Sequence, residues 1–286
     1  MATKTITGRG IGALAGLLFG ALVLSACETD DGPVASAPDI EACLNDSAPA
    51  QSVMRHCQKV LDSETVSVAE RATAYTRIGF GHLALARHTE AVAAFEQATV
   101  LMPRLKGAHL GLGWAQLRLL DLDAAKQAFD HVLVLDPNLT SAREGRGIVH
   151  LVNQDYRLSI DDFDKVLASN PNSTRARRNR GDAYFALGRH DQALADYDAV
   201  IALVEVAQPE LFLTRSQILA AKGERTDPRE DWATALRAAG PEQIGAWQKR
   251  MLEGGFYAGA VDGKLSPATR DALATCMADK DCRRVN

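Results

Sequence analysis

The chain has 286 residues, of which 47% are hydrophobic, 24% charged and 6% aromatic. That length allows one or two domains with a substantial core, and the composition is that of a folded globular protein, not of a disordered or fibrous one. A formal net charge of −4 leaves no basic surplus to neutralise phosphates, which argues against a general nucleic-acid binder.

Lys4 and Arg9 precede an apolar run from Ile11 to Leu24 that is shorter than the ~20 residues of a membrane-spanning helix, so residues 1–26 read as a signal peptide. The run ends in Leu24-Ser25-Ala26-Cys27, which resembles the lipobox of bacterial lipoproteins. The resemblance implies that Cys27 is lipidated and becomes the first mature residue, anchored by several acyl chains. It therefore places the chain in the bacterial cell envelope, held to a membrane by lipid and facing the periplasm. Glu28, in place of an inner-membrane Asp signal, leans towards the outer membrane. Residues 27–38 are polar and Pro-containing, and read as a flexible tether. With Cys27 set aside, Cys43, Cys57, Cys276 and Cys282 remain. Three pairings are open, proximity in sequence favours Cys43–Cys57 and Cys276–Cys282, and free buried thiols are the alternative.

The middle of the chain repeats itself. Pro103, Pro137 and Pro171, then Phe95, Phe129 and Phe163, then Gly79, Gly113, Gly147 and Gly181 each recur every 34 residues, and Tyr197 extends the aromatic series. This spacing resembles the tetratricopeptide repeat, a 34-residue unit of two helices. The resemblance implies an all-α solenoid over residues 39–240. Its repeats start near Ala72, Lys106, Thr140 and Thr174, with atypical units at both ends, about six helical hairpins in all. The glycines then sit on first helices where a side chain would push the second helix away. Ala91, Ala125 and Ala193, with Ser159, open the second helices. Ala50, Met54, Cys57 and Asp62 mark a first capping unit that a Cys43–Cys57 bond would close. Leu211 to Lys222 forms a late first helix, with a second expected from Pro228 to Ala238.

Such solenoids bind partners along the surface lined by first helices. The inward positions carried over from the family are Phe80, Trp114, Ile148 and Asp182, flanked by Thr76, Leu110, Glu144, Arg178 and Phe212. Trp114 is the strongest anchor for a partner, and the alternative is that Phe80 and Trp114 only pack between helices. The basic run from Thr174 to Arg180 offers Arg175, Arg178 and Asn179 as a carboxylate clamp, against the simpler reading of a solvated face.

After Gly240-Pro241 the period stops. Residues 241–286 resemble the small helical peptidoglycan-binding domain attached to many cell-wall enzymes. The likeness rests on Gln248, the Gly255-Phe256-Tyr257-Ala258-Gly259 turn, Val261-Asp262-Gly263 and Pro267-Ala268-Thr269-Arg270. Gly255, Gly259 and Gly263 are expected in left-handed turns, Ser266 as a helix cap, and Asp262 and Arg270 as a pair across the turn. Ser266 stands where the family has glycine, and Thr275-Cys276 replaces its aromatic-Gln ending.

No nucleophile elbow, phosphate loop or metal-ligand spacing is present in the sequence, so neither an enzyme nor a cofactor or metal is expected. The expectation is a lipoprotein scaffold that recruits envelope proteins, among them cell-wall hydrolases or synthases, close to peptidoglycan. A passive membrane-to-wall tether, or an assembly factor for pili or outer-membrane proteins, is the alternative.

Overall fold

The computed structural model describes residues 36–45, 47–204, 209–223 and 239–278. The signal peptide, Cys27, the tether before Ser36, the helix expected at 228–238 and the Cys276–Cys282 pairing lie outside the described residues. Among those described there are thirteen α-helices and no strand.

The helices α1 (Ala37–Leu44) and α2 (Ala50–Asp62) form a first hairpin. Helix α1 starts inside the stretch assigned to the tether, because Ser36 caps it by accepting from the Asp39 amide at 3.3 Å and Pro38 is tolerated in the first turn. The Asp39 carboxylate then reaches across to Lys59 Nζ and His56 Nδ1 on α2, each at 2.9 Å. A disulfide joins Cys43 to Cys57 with their Cα atoms 4.7 Å apart. Both cysteines are buried in the cluster that includes Val53, Val60 and Ile78. Converting the pair to alanines is expected to cost about 3 kcal/mol, the loop-closure value for a ring of this size. Hydrogen exchange should show α1 losing protection while later helices keep theirs.

Four regular hairpins follow: α3 (Val68–Ala84) with α4 (His88–Leu101), α5 (Lys106–Arg118) with α6 (Leu122–Leu135), α7 (Thr140–Val152) with α8 (Tyr156–Ser169), and α9 (Thr174–Ala186) with α10 (His190–Leu203). Three of them start where the period places them. The first starts four residues before Ala72, because Ser67 and Glu70 make a reciprocal capping box that nucleates an extra turn.

The core explains the period. The Phe95 ring lies where a side chain on either Gly79 or Gly111 would be, with a Cβ falling 2.7 and 2.2 Å from it. Phe129 stands the same way between Gly113 and Gly145. Each ring therefore keys its own unit to the next, through one glycine the period reveals and a second, two residues earlier, that it does not. Ser159, the exception among the helix-two alanines, is fully buried and donates its hydroxyl to the Gly147 carbonyl at 2.9 Å.

Within each hairpin the turn uses one left-handed residue: Ala86, Leu120, Gln154 and Gly188, with φ of 55°, 61°, 64° and 72°. Leu120 is the least suited, since its Cβ is strained there and its side chain is 71% exposed. Leu120→Gly is expected to raise stability by about 0.5–1 kcal/mol in denaturant melts.

First helices of successive units touch one another (α3 with α5, α5 with α7, α7 with α9), and second helices do so less closely. The array therefore curves with its first helices inside. Helix α11 (Pro209–Lys222) continues the series against α10. Beyond it, α12 (Pro241–Glu253) and α13 (Pro267–Ala278) build a small module around Met251, Tyr257 and Ala272, and Leu213 of α11 packs against that cluster.

Candidate functional site

The inner surface runs along one residue per first helix. Phe80 is 38% exposed and sets its ring edge-on against Phe95, with centroids 5.0 Å apart. Trp114 is half-buried and does the same against Phe129 at 5.4 Å. Ile148 is half-buried between the clusters around Phe129 and Phe163. Packing and exposure thus coexist: one edge of each side chain braces the second helix and the other faces the groove. Leu110 is half-buried beside Trp114, whereas Thr76 is buried with its hydroxyl donated to the Ala72 carbonyl.

Two inward candidates are not free. Asp182 accepts a short hydrogen bond from the Tyr197 hydroxyl, so where the aromatic series changes from Phe to Tyr the facing residue changes to a carboxylate that satisfies it. Burial raises the Asp182 carboxyl above its ordinary range, against the lowering effect of the Tyr197 bond. Burial, and then the Asp182 charge, push the Tyr197 phenol up. Phe212 is buried, with the Arg215 guanidinium 5.9 Å from its ring, and so does not line the groove.

The basic run resolves by helical geometry, since residues three apart share a face and neighbours do not. Arg180 grips Asp196 through Nε and Nη2 at 2.8 and 2.6 Å, and reaches back to Asp164 on the previous unit at 2.6 Å. Arg177 donates to the Pro171 carbonyl at 2.9 Å, capping the turn between units. Asn179 is buried and unavailable as a clamp. On the other face, Arg175 is 61% exposed with a 3.4 Å contact to Glu144, and Arg178 is exposed.

Sequence reading missed the ladder that Arg180 belongs to. Arg146 holds Asp162 at 2.8 and 2.7 Å and Asp130 of the unit before at 2.7 Å, while Arg215 reaches Asp198 at 2.7 Å. The signal was present: Arg146 and Arg180, Asp130, Asp164 and Asp198, and Asp162 and Asp196 all keep the 34-residue interval. Burial raises the Asp130 carboxyl, but the bonds from Arg146 and Lys126 outweigh it and the net shift is downward.

In the small module, the motif residues turn inward. Gln248 is fully buried, and its carbonyl accepts from the amides of Asp262 and Gly263 at 3.0 and 2.9 Å. Its amide nitrogen donates to the Asp262 carboxylate at 2.9 Å, the Lys264 carbonyl at 3.1 Å and Thr269 Oγ1 at 3.1 Å. Tyr257 donates its hydroxyl to the Ala260 carbonyl at 3.0 Å. Ser266 caps α13 by accepting from the Thr269 amide at 3.1 Å. Two expectations need correction. Asp262 pairs with Gln248 and the Lys264 amide, not with Arg270, which is exposed. Gly255 and Gly263 have positive φ of 77° and 68°, but Gly259 does not. Gly259 is required because a Cβ there would fall 2.4 Å from the Tyr257 hydroxyl.

Among the described residues, no group of three His, Cys, Asp or Glu side chains is placed to hold a metal ion, and no helix is long and apolar enough to cross a membrane.

Residues 79–139 and 145–207 match the family model of the tetratricopeptide repeat. No curated protein matches the sequence. Among solved structures, a tetratricopeptide repeat protein from Parabacteroides merdae superposes with a TM-score of 0.61 at 16% identity, covering 82% of this chain and 90% of that one. MamA from Desulfovibrio magneticus RS-1, residues 41 to the end, gives 0.56 at 20% identity over 60% of this chain and 97% of that one. These likenesses establish the fold: a helical-hairpin solenoid of tetratricopeptide repeats. Arrays of this kind generally mediate protein–protein interaction and are typically non-catalytic scaffolds.

Proposed function

We propose that the chain is an envelope lipoprotein scaffold that holds partner proteins in its repeat groove and positions them near peptidoglycan. The observation that carries this reading is the stripe of Phe80, Leu110, Trp114 and Ile148, four apolar side chains on three successive first helices that are each partly exposed. The lipobox ending in Cys27 supports the membrane anchor, most simply in the outer membrane facing the periplasm, and the likeness of residues 241–286 to a wall-binding module supports the contact with peptidoglycan. An anchor of that kind raises the effective concentration of any held partner at the membrane surface. Cell-wall hydrolases and synthases are the partners this arrangement suits.

A passive membrane-to-wall tether differs in one measurable way. Trp114→Ala should reduce recovery of co-purified envelope proteins at least about tenfold if the groove is the binding surface, and should leave recovery unchanged in a tether. The wall contact is tested separately by pelleting isolated sacculi with the wild-type chain and with Gln248→Ala. Co-sedimentation of the wild type alone supports a wall-binding module. If neither pellets, the wall contact is wrong and assembly of pili or outer-membrane proteins becomes the better reading.

A further inference from the structure

At the turn between the first two regular hairpins, two imidazoles converge on one oxygen. His109 on α5 and His131 on α6 place their Nε2 atoms 2.9 and 3.1 Å from the Pro103 carbonyl oxygen. Their rings lie side by side, with centroids 4.0 Å apart and planes 32° from parallel. His131 and Pro103 are exposed and His109 is half-buried, so solvent reaches the cluster.

Capping the carbonyl does not by itself call for this arrangement. In the next two units the equivalent prolines, Pro137 and Pro171, are each served by a single side chain, Arg143 and Arg177, standing at the position of His109. At the position of His131 those units have Lys165 and Ala199, and among the described residues neither bonds to the proline carbonyl. The carboxylates 3.7 Å from those arginines, Asp162 and Asp196, are replaced here by Ala128. The second unit thus gathers two imidazoles and a carbonyl oxygen at this corner, where the next two units have an arginine and a carboxylate.

We propose that His109, His131 and the Pro103 carbonyl form a binding site for one divalent transition-metal ion of the Zn²⁺, Ni²⁺ or Cu²⁺ class. The donor chemistry selects that class: imidazole nitrogen suits these ions, whereas Ca²⁺ and Mg²⁺ take hard oxygen ligands. The spacing suits it as well. Bonds from such an ion to nitrogen and oxygen are about 2.0–2.2 Å, so two ligand atoms at right angles around it stand about 3 Å apart. Both nitrogens lie at that distance from the oxygen. An Nε2 that donates to the carbonyl carries the ring proton. On binding, that proton passes through water to Nδ1, and the Nε2 lone pair turns to the ion. Water completes the coordination on the open side. The ion would tie the inter-unit turn to both helices of the second hairpin. Its third ligand is backbone, so the site is not a group of three side chains.

The test uses the full chain purified in detergent and freed of metal with a chelator, with Cu²⁺ and Zn²⁺ as probes. One equivalent of Cu²⁺ should give an electron paramagnetic resonance spectrum with nitrogen couplings from two imidazoles. Zn²⁺ should raise the melting temperature, because it binds the folded chain. His109→Arg supplies the capping side chain of the next two units but no ligand. It should melt near the wild-type temperature without metal, bind Zn²⁺ at least about tenfold more weakly and lose the rise. His131→Gln, at an exposed position, should lose the rise too while remaining folded by circular dichroism. If the wild type takes up neither ion, or if both variants bind as the wild type does, the pair is only a carbonyl cap and the proposal falls. A two-imidazole spectrum that survives in His109→Arg would place the ion on other histidines and overturn it equally.

Discussion

Arg146→Ala is expected to destabilise the array by about 3–5 kcal/mol, among the largest effects of any single substitution outside the Phe core. The reason is what remains behind. Asp162 is only 4% exposed in its side chain and receives two hydrogen bonds from the Arg146 fork, so without Arg146 a buried carboxylate loses both of them. Asp130 on the preceding unit loses its bond from Arg146 at the same moment and keeps only that from Lys126, so the junction between the second and third regular hairpins weakens as well as the hairpin itself. Arg146→Lys keeps the charge but not the two-pronged geometry, and should recover only part of the loss. Lys106→Ala, which removes an exposed pair with Asp136, should cost less than about 1 kcal/mol and serves as the control. Urea melts measure all three. The ladder also fixes a pH signature. The Asp130 carboxyl is held below its ordinary value of 3.8, so its stabilising contribution is complete above that value and is lost as pH falls through the lower folded-state value. Acid unfolding of the wild type should therefore begin below about pH 4, and the part due to Asp130 should shrink in Arg146→Ala to what Lys126 sustains alone.

Gln248→Ala should unfold the small module while leaving the solenoid intact. One side chain serves both sides of the turn: it accepts from the Asp262 and Gly263 amides and donates to Asp262, Lys264 and Thr269. Each buried polar group left without a partner costs about 1–3 kcal/mol, and at least two amides are orphaned together. Among the described residues, the module's buried apolar side chains are Ile244, Met251, Tyr257 and Ala272, with a few half-buried neighbours. Limited proteolysis should cut between residues 240 and 278 in the variant and spare them in the wild type. Gln248→Leu, which restores volume but no hydrogen bond, should behave like the alanine variant. A stable Gln248→Leu module would mean that packing, not the amide network, holds the turn together.

The period of the sequence made the fold legible because each physical constraint recurs once per unit. Gly79 and its equivalents exist to admit an aromatic ring, and Pro103 and its equivalents to end a helix, so the same residue types return every 34 positions. Gly111 and Gly145 escaped notice because the next two units carry Asn179 and Leu213 in that place, and two occurrences do not announce a rule. The Arg–Asp ladder escaped for a different reason. Its partners stand 16 or 17 residues apart, on different helices, and the eye groups Arg175 to Arg180 as one patch although a helix divides them between two faces. In the groove, the period placed Phe80, Trp114 and Ile148 at equivalent positions of successive first helices, and each of these side chains is partly exposed. It could not show that Asp182 is engaged by Tyr197, nor that Phe212 is buried at the end of the array. The module's motif was readable as a pattern, but the pattern is a folding device: Gln248, Tyr257, Asp262, Thr269 and Gly259 serve the turn itself.

The central claim, that partners are held on the inner face of the solenoid, is tested most directly by site-specific photo-crosslinking in living cells. A photoreactive residue in place of Trp114 samples the groove, and one in place of Val134, which is 80% exposed on a second helix, samples the outer face. The account predicts a discrete cross-linked protein species from position 114 and none from position 134. A species from position 134 alone would contradict it and move the partner to the outer surface.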